Sequence, residues 1–218
     1  IKKILSKFYH QFFLSSSNEV ERTANKFSLN PFISDTNNQI SINYSIRNSL
    51  YFNRGLQKYS TTYTFAKTEN KQQYSIGSQD TDIRYQQIDF QHKLGKFWLI
   101  DLQGKLSENN LETENFNNRN YEINTYAFQP KISYVLDNDN RFSAFYHVKD
   151  KKNNLSEFEK LKQQKIGIEY FYQRKSTTQF NANFTTFFND FDGNPNSPVG
   201  YQMLEGLQEG TNYTWAFL

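Results

Sequence analysis

The stretch ISINYSIRNSLYF, residues 40–52, decides the fold. Ile40, Ile42, Tyr44, Ile46, Leu50 and Phe52 take alternate positions, interrupted only by Asn48. Ser41, Asn43, Ser45, Arg47, Ser49 and Tyr51 take the positions between. Successive side chains of a strand point to opposite faces, so a strand separates the two sets. A helix of 3.6 residues per turn scatters both around its axis. The result is a ribbon that is apolar on one side and polar on the other.

The same alternation recurs along the chain. Ile88, Phe90, His92 and Leu94 oppose Gln87, Asp89, Gln91 and Lys93. Trp98, Ile100, Leu102 and Leu106 oppose Asp101, Gln103 and Lys105. Tyr126, Phe128, Ile132 and Tyr134 oppose Gln129, Lys131 and Ser133, although Pro130 belongs at an edge or bulge because it donates nothing to a ladder. Phe142, Ala144, Tyr146 and Val148 oppose Ser143, His147 and Lys149. Ile166, Ile168, Tyr170 and Tyr172 oppose Gly167, Glu169 and Gln173, and Phe180, Ala182, Phe184 and Phe188 oppose Asn181, Asn183 and Asn189. Phe145 and Phe187 break the polar sets.

Each run spans roughly 12 to 16 residues, where a globular strand averages about 5–6. A tilted strand crosses a bilayer in about 9–11 residues. The connections alternate. Short turns are expected near Asn53–Lys58, Gly95–Lys96, Asp137–Asn140 and Arg174–Thr177, and long loops near 68–81, 107–120, 150–162 and 190–210. Short turns on one side and long loops on the other are the habit of outer-membrane barrels. The first residues fit less well: Phe8–Leu14 and Lys26–Ile33 read as strands, and a short turn at Asp35–Asn38 followed by another at Asn53–Lys58 breaks the parity.

Composition narrows the classes. Of 218 residues only 36% are hydrophobic, yet 17% are aromatic. A mean hydropathy of -0.84 suggests disorder, but disordered chains are poor in aromatics. A barrel with a polar lumen and an aromatic, aliphatic outer band accounts for both. The absence of Cys removes disulfides, thiol catalysis and Cys-bound zinc. The net charge of +3 is scattered and forms no basic stripe, so no nucleic-acid partner is expected. No apolar run is long enough for a transmembrane helix.

These observations imply an all-β, antiparallel transmembrane barrel of the outer-membrane type, with about 10–11 strands in residues 1–218 and no plug domain. The run Thr211–Leu218 stops abruptly, which favours part of a larger barrel over a closed one. In hydrocarbon every backbone group must be paired, so both edges must meet other strands of the same barrel or of envelope proteins. Ile42, Tyr44, Ile46, Phe90, Trp98, Ile100, Phe128, Tyr134, Tyr146, Ile168, Tyr170 and Phe184 are expected to face outer-membrane lipid. Arg47, Asp89, Lys93, Asp101, Lys105, Lys131, Lys149 and Glu169 are expected to face the lumen. The long loops are then extracellular and the short turns periplasmic.

Chemistry is sparse. His10, His92 and His147 are far apart and lack HExxH spacing, and no GxSxG, P-loop or GxGxxG motif is present, so no catalytic residue is expected. Asp190, Asp192 and Asn194, in the loop Asn189–Ser197, alternate as oxygen ligands of a calcium loop do, but Tyr201 stands where an EF-hand wants Glu. Asn, Asp, Gly and Pro are also ordinary turn formers. Ser156 and Glu159 resemble a capping box for a loop helix over Asn154–Leu161.

The stretches SLYFNRGLQKY (49–59), FQPKISY (128–134) and SPVGYQMLEGLQEGTNYTW (197–215) resemble the C-terminal barrel region of large, mostly uncharacterised outer-membrane proteins of the Bacteroidota. Those are similar in strand texture to TonB-dependent and SusC-like transporters. The resemblance implies a barrel without known chemistry. Such barrels usually end on an aromatic residue, whereas here Leu218 follows Phe217. Four functions follow for weighing: a channel or transporter in an envelope complex, a structural barrel that binds partners, a secreted glycan-binding sandwich, and a barrel enzyme, the last without a nucleophile–base pair to support it.

Overall fold

The computed structural model describes residues 7–24, 36–55, 58–74, 77–136, 140–155, 159–174 and 178–217. Among the described residues ten strands follow one another: β1 (Phe8–Ala24), β2 (Thr36–Phe52), β3 (Tyr59–Tyr74), β4 (Gly77–Leu94), β5 (Trp98–Thr113), β6 (Tyr121–Val135), β7 (Asn140–Asn153), β8 (Lys160–Arg174), β9 (Thr178–Asp192) and β10 (Gly210–Phe217). One helix, α1 (Pro198–Leu204), lies between β9 and β10. The strands form a single antiparallel sheet in sequence order, and β1 and β10 are not hydrogen-bonded to each other.

Two register rows show the consequence of the alternation. Ser49, Thr64, Gln87, Lys105, Ala127, Lys149, Gln163 and Asn189 lie side by side across eight strands on one face. Leu50, Tyr63, Ile88, Gly104, Phe128, Val148, Gln164 and Phe188 do so on the other. The sheet curls around the polar face. Ser49, Ser133 and Gln163 are nearly excluded from solvent, whereas Leu50, Ile88, Phe128 and Ile168 are about half exposed. This inverts a water-soluble protein, in which apolar side chains go inside. A sandwich would cover the apolar face with a second layer; among the described residues nothing does.

Strand limits correct several expectations. The loop expected at 68–81 is ladder: Thr68 pairs with Ile83, and pairing continues to Tyr74 and Gly77. There the outer face carries charge instead of apolar residues. Lys67 bonds Glu69, Lys71 faces Asp80 at 3.6 Å, and Arg84 bonds Asp82 at 2.7 Å. Alternation between two polar sets is invisible to a search for hydrophobic period. The loops at 107–120 and 150–162 shrink for the same reason, since β5 runs to Thr113, β7 to Asn153, and β8 starts at Lys160.

The parity break also resolves. β1 pairs directly with β2 from Phe8↔Phe52 to Ala24↔Thr36, so no strand stands between them, and the expected turn at Asp35–Asn38 gives way to the start of β2. The expected strand Lys26–Ile33 lies outside the described residues. Of the expected helix over Asn154–Leu161, residues 156–158 lie outside them too, and Leu161 belongs to β8. Pro130 sits in the central strand β6, at neither edge nor bulge. The β6–β7 ladder skips Gln129 and Pro130, then resumes in the same register at Lys131.

Candidate functional site

The outer face is a band. From Trp98 to Leu106 on β5 and from Tyr126 to Tyr134 on β6 its side chains are apolar apart from Gly104, roughly the nine residues a tilted strand needs for hydrocarbon. Beyond it, on the side of the longer loops, come Glu108, Asn124, Asp150, Lys162 and Asp190. At the short-turn end the band closes in touching rings. Phe8 meets Phe52 at 4.9 Å, Phe52 meets Tyr59 at 6.0 Å, and Tyr59 meets His92 at 6.4 Å. Farther round, Trp98 meets Tyr134 at 4.9 Å, and Phe142 stacks on Tyr170 at 4.5 Å. The amphipathic rings among them, Tyr59, Trp98, Tyr134 and Tyr170, are of the kind that favours the boundary between hydrocarbon and water. Asn48, the polar interruption in residues 40–52, accepts at its Oδ1 a 2.7 Å hydrogen bond from His10 Nε2 on the same face.

All twelve side chains expected to face lipid lie on this outer face, and all eight expected to face a lumen lie on the opposite one. The inner set is brought together in part. Lys131 bonds Glu169. Asp89 accepts amide hydrogens from Gln87 and Gln103, and Asp101 accepts one from Gln91 at 2.8 Å. Lys105 stands over the Tyr85 ring at 4.7 Å. Arg47 and Lys93 remain exposed, away from these groups.

The segment between β9 and β10 folds back onto the inner face. Ser197 starts α1: its Oγ accepts the Gly200 N–H at 2.8 Å, and Pro198 follows as the first helical residue. Val199, Met203 and Leu204 then pack on Ile123, Leu161 and Phe191, with Met203 fully buried. The helix is latched at its other end. Glu205 takes Lys149 at 2.9 Å and Lys151 at 2.7 Å. Lys151 also donates to the carbonyls of Gln202 and Met203, at 3.3 Å and 2.9 Å. These are helix C-terminal carbonyls, where a cation is favoured. Burial pushes the Glu205 carboxyl up, but the hydrogen bonds and charges of Lys149 and Lys151 outweigh it and hold its pKa below the ordinary carboxylate value. Asn189 ties the segment's far end by donating to the Gln208 carbonyl at 2.8 Å.

Sequence reading missed α1, Glu205, Lys151 and Lys165. A Ser-Pro start and apolar residues at 199, 203 and 204 carried the signal for α1. Asp190 and Asp192 are strand residues on the outer face, opposite Lys162 and Lys160, and the Asn194 Oδ1 accepts the Asn196 N–H at 3.0 Å. Among the described residues no three His, Asp or Glu side chains are grouped to hold a metal ion.

No family model matches the chain, and no curated protein sequence does. Solved structures do. One is OmpT folded in vitro, an outer membrane protein of Vibrio cholerae, with TM-score 0.50, 11% identity, and coverage of 84% of this chain and 70% of that one. Another is a loop L8 deletion mutant of the same OmpT, with TM-score 0.48, 12% identity, and coverage of 94% and 73%. The likeness carries no statement on whether the chain catalyses a reaction. It does bear on architecture: with the inverted sheet, it makes the fold that of an outer-membrane β-barrel wall of ten antiparallel strands.

Proposed function

We propose that the chain forms the wall of a channel or transporter in the bacterial outer membrane, narrowed from within by the segment carrying α1. The observation that carries this reading is the pairing of an exposed apolar band with a polar inner face that includes buried Ser49, Ser133, Gln163 and Lys151. Lipid satisfies the first, and a hydrated lumen satisfies the second. Bilayer contact also requires that the free edges of β1 and β10 be paired, by further strands of the same barrel or by envelope partners. The longer connections face outward and the short turns inward to the periplasm.

The test is conductance. The purified protein is inserted into planar bilayers, and single-channel currents are recorded before and after residues 198–205 are replaced by Gly and Ser. Discrete openings that grow with the replacement are expected. A folded, inserted protein that stays silent in both forms overturns the channel reading and leaves a barrel that only binds partners.

A further inference from the structure

On the inner face two adjacent register rows pass beneath α1. One places Lys105, Ala127, Lys149 and Gln163 side by side, and the next places His147 opposite Lys165. Neighbouring strands lie about 4.8 Å apart. Lys149 and Lys165 stand on adjacent strands, and Lys105 stands two strands from Lys149. Among the described residues the carboxylate that ion-pairs with this group is Glu205, already shared by Lys149 and Lys151, while Glu169 acts on Lys165 from farther away. Lys105 and Lys165 form no ion pair among the described residues. Lys105 rests on Tyr85, and Lys165 stands 5.1 Å and 5.2 Å from the rings of Phe145 and Phe187. His147 Nδ1 donates to the Gln129 Oε1 at 2.8 Å, so Nε2 of the neutral ring is an acceptor, buried without a partner among the described residues. Lys105, His147, Lys149, Lys151 and Glu205 line one cavity of about 390 Å³ between the wall and α1.

Unpaired cations are costly to seclude. A small oxyanion offsets that cost. We propose that this cavity binds a small carboxylate or phosphate anion between Lys105 and Lys149, and that it makes the pore anion-selective. The proposal rests on the channel reading above. It also deepens that reading, because lysines at a constriction set selectivity for anions. The Glu205 carboxylate occupies one side of the cavity as the protein's own anion, and it leaves Lys105 for the solute. The cavity opens on the face opposite the apolar band, so the anion arrives from water and not from a lipid headgroup.

The experiment has two arms. In bilayers under a potassium chloride gradient, the reversal potential is measured for wild type, Lys105→Glu and Lys105→Met, and then with inorganic phosphate added. Wild type is expected to favour chloride severalfold and to lose current to phosphate. Lys105→Glu is expected to invert the preference, and Lys105→Met to abolish phosphate block. In detergent, broadening of the phosphorus resonance of inorganic phosphate is expected with wild type and not with Lys105→Met. Selectivity for potassium in wild type, or phosphate effects unchanged in both variants, overturns the proposal. Phosphate broadening without any conductance would remove the channel reading and keep the binding site. Conductance without selectivity or broadening would do the reverse.

Discussion

The ring of Phe145 fills the space above Gly167: a Cβ at Gly167 would stand 2.2 Å from Phe145 Cζ and 2.4 Å from its Cε1. The two residues are register partners on the inner face, and Phe145 is only 9% exposed. A glycine inside a strand ordinarily weakens it, because it has no side chain to pack. Here the neighbouring ring covers the gap. Gly167→Ala forces the ring aside and should cost about 1–3 kcal/mol, the usual penalty of overpacking. In a Phe145→Ala background the same change should cost nearly nothing. Denaturant unfolding of the four proteins in detergent checks this. An equal cost of Gly167→Ala in both backgrounds would sink the idea.

Phe145 also shows what the sequence hides. The strands of the apolar band were legible because hydrophobic alternation is the signal a half-buried strand writes. The facing of Ile168 and Glu169 followed from parity alone. The outer ends of β3 and β4 were not legible, since Lys67, Asp82 and Arg84 satisfy each other across the hairpin without any apolar residue. Phe145 read as a misfit, because only the register brings it to Gly167. Glu205 was silent for a similar reason. Its partners Lys149 and Lys151 are more than fifty residues away, and only the inward fold of α1 brings them together.

That latch depends on charge. The carboxyl of Glu205 ionises more readily in the folded protein than its ordinary value of 4.5. A depressed carboxylate pKa stabilises the fold above the ordinary value and loses that contribution as pH falls through the depressed one. The α1 segment should therefore be held from neutral pH down to about 4.5 and loosen progressively below it. The chain has no Cys, so Glu209→Cys gives one site for a nitroxide label. Its spectrum should be immobilised at pH 7 and sharpen on acidification. Glu205→Gln should be sharp at both pH values. A label whose mobility in the parent does not change with pH would contradict the latch.

Pro130 carries a different expectation. The β6–β7 ladder loses its rows at Gln129 and Pro130, while on the other side Leu102 still pairs with Pro130. Proline has no N–H to give. Pro130→Val restores a donor and supplies a β-branched side chain suited to the outer band. It should stabilise the protein by about 0.5–1.5 kcal/mol, the net value of one hydrogen bond. The midpoint of unfolding should rise, and the new amide at 130 should be protected from hydrogen exchange. An unprotected amide would mean that the gap in the ladder has another cause.

The lipid-facing assignment is most exposed at Ile168. It is 58% exposed, lies in the apolar band between Ala144 and Phe184, and precedes the inner-face residue Glu169. If the band meets hydrocarbon, Ile168→Arg places a guanidinium inside it, one pleat from the boundary ring of Tyr170, at a cost of about 1–3 kcal/mol, between the midplane and interface values. Glu169→Gln, one residue on, only weakens a partly exposed pair with Lys131 and should cost less than about 1 kcal/mol. In a particle surrounded by water the order reverses, because an exposed Ile→Arg change is nearly neutral. Folding into liposomes, scored by the migration of unheated samples on gels, separates the two cases. Loss of the folded band in Ile168→Arg with its retention in Glu169→Gln is expected. Equal folding yields for both variants would mean that the apolar face does not touch lipid.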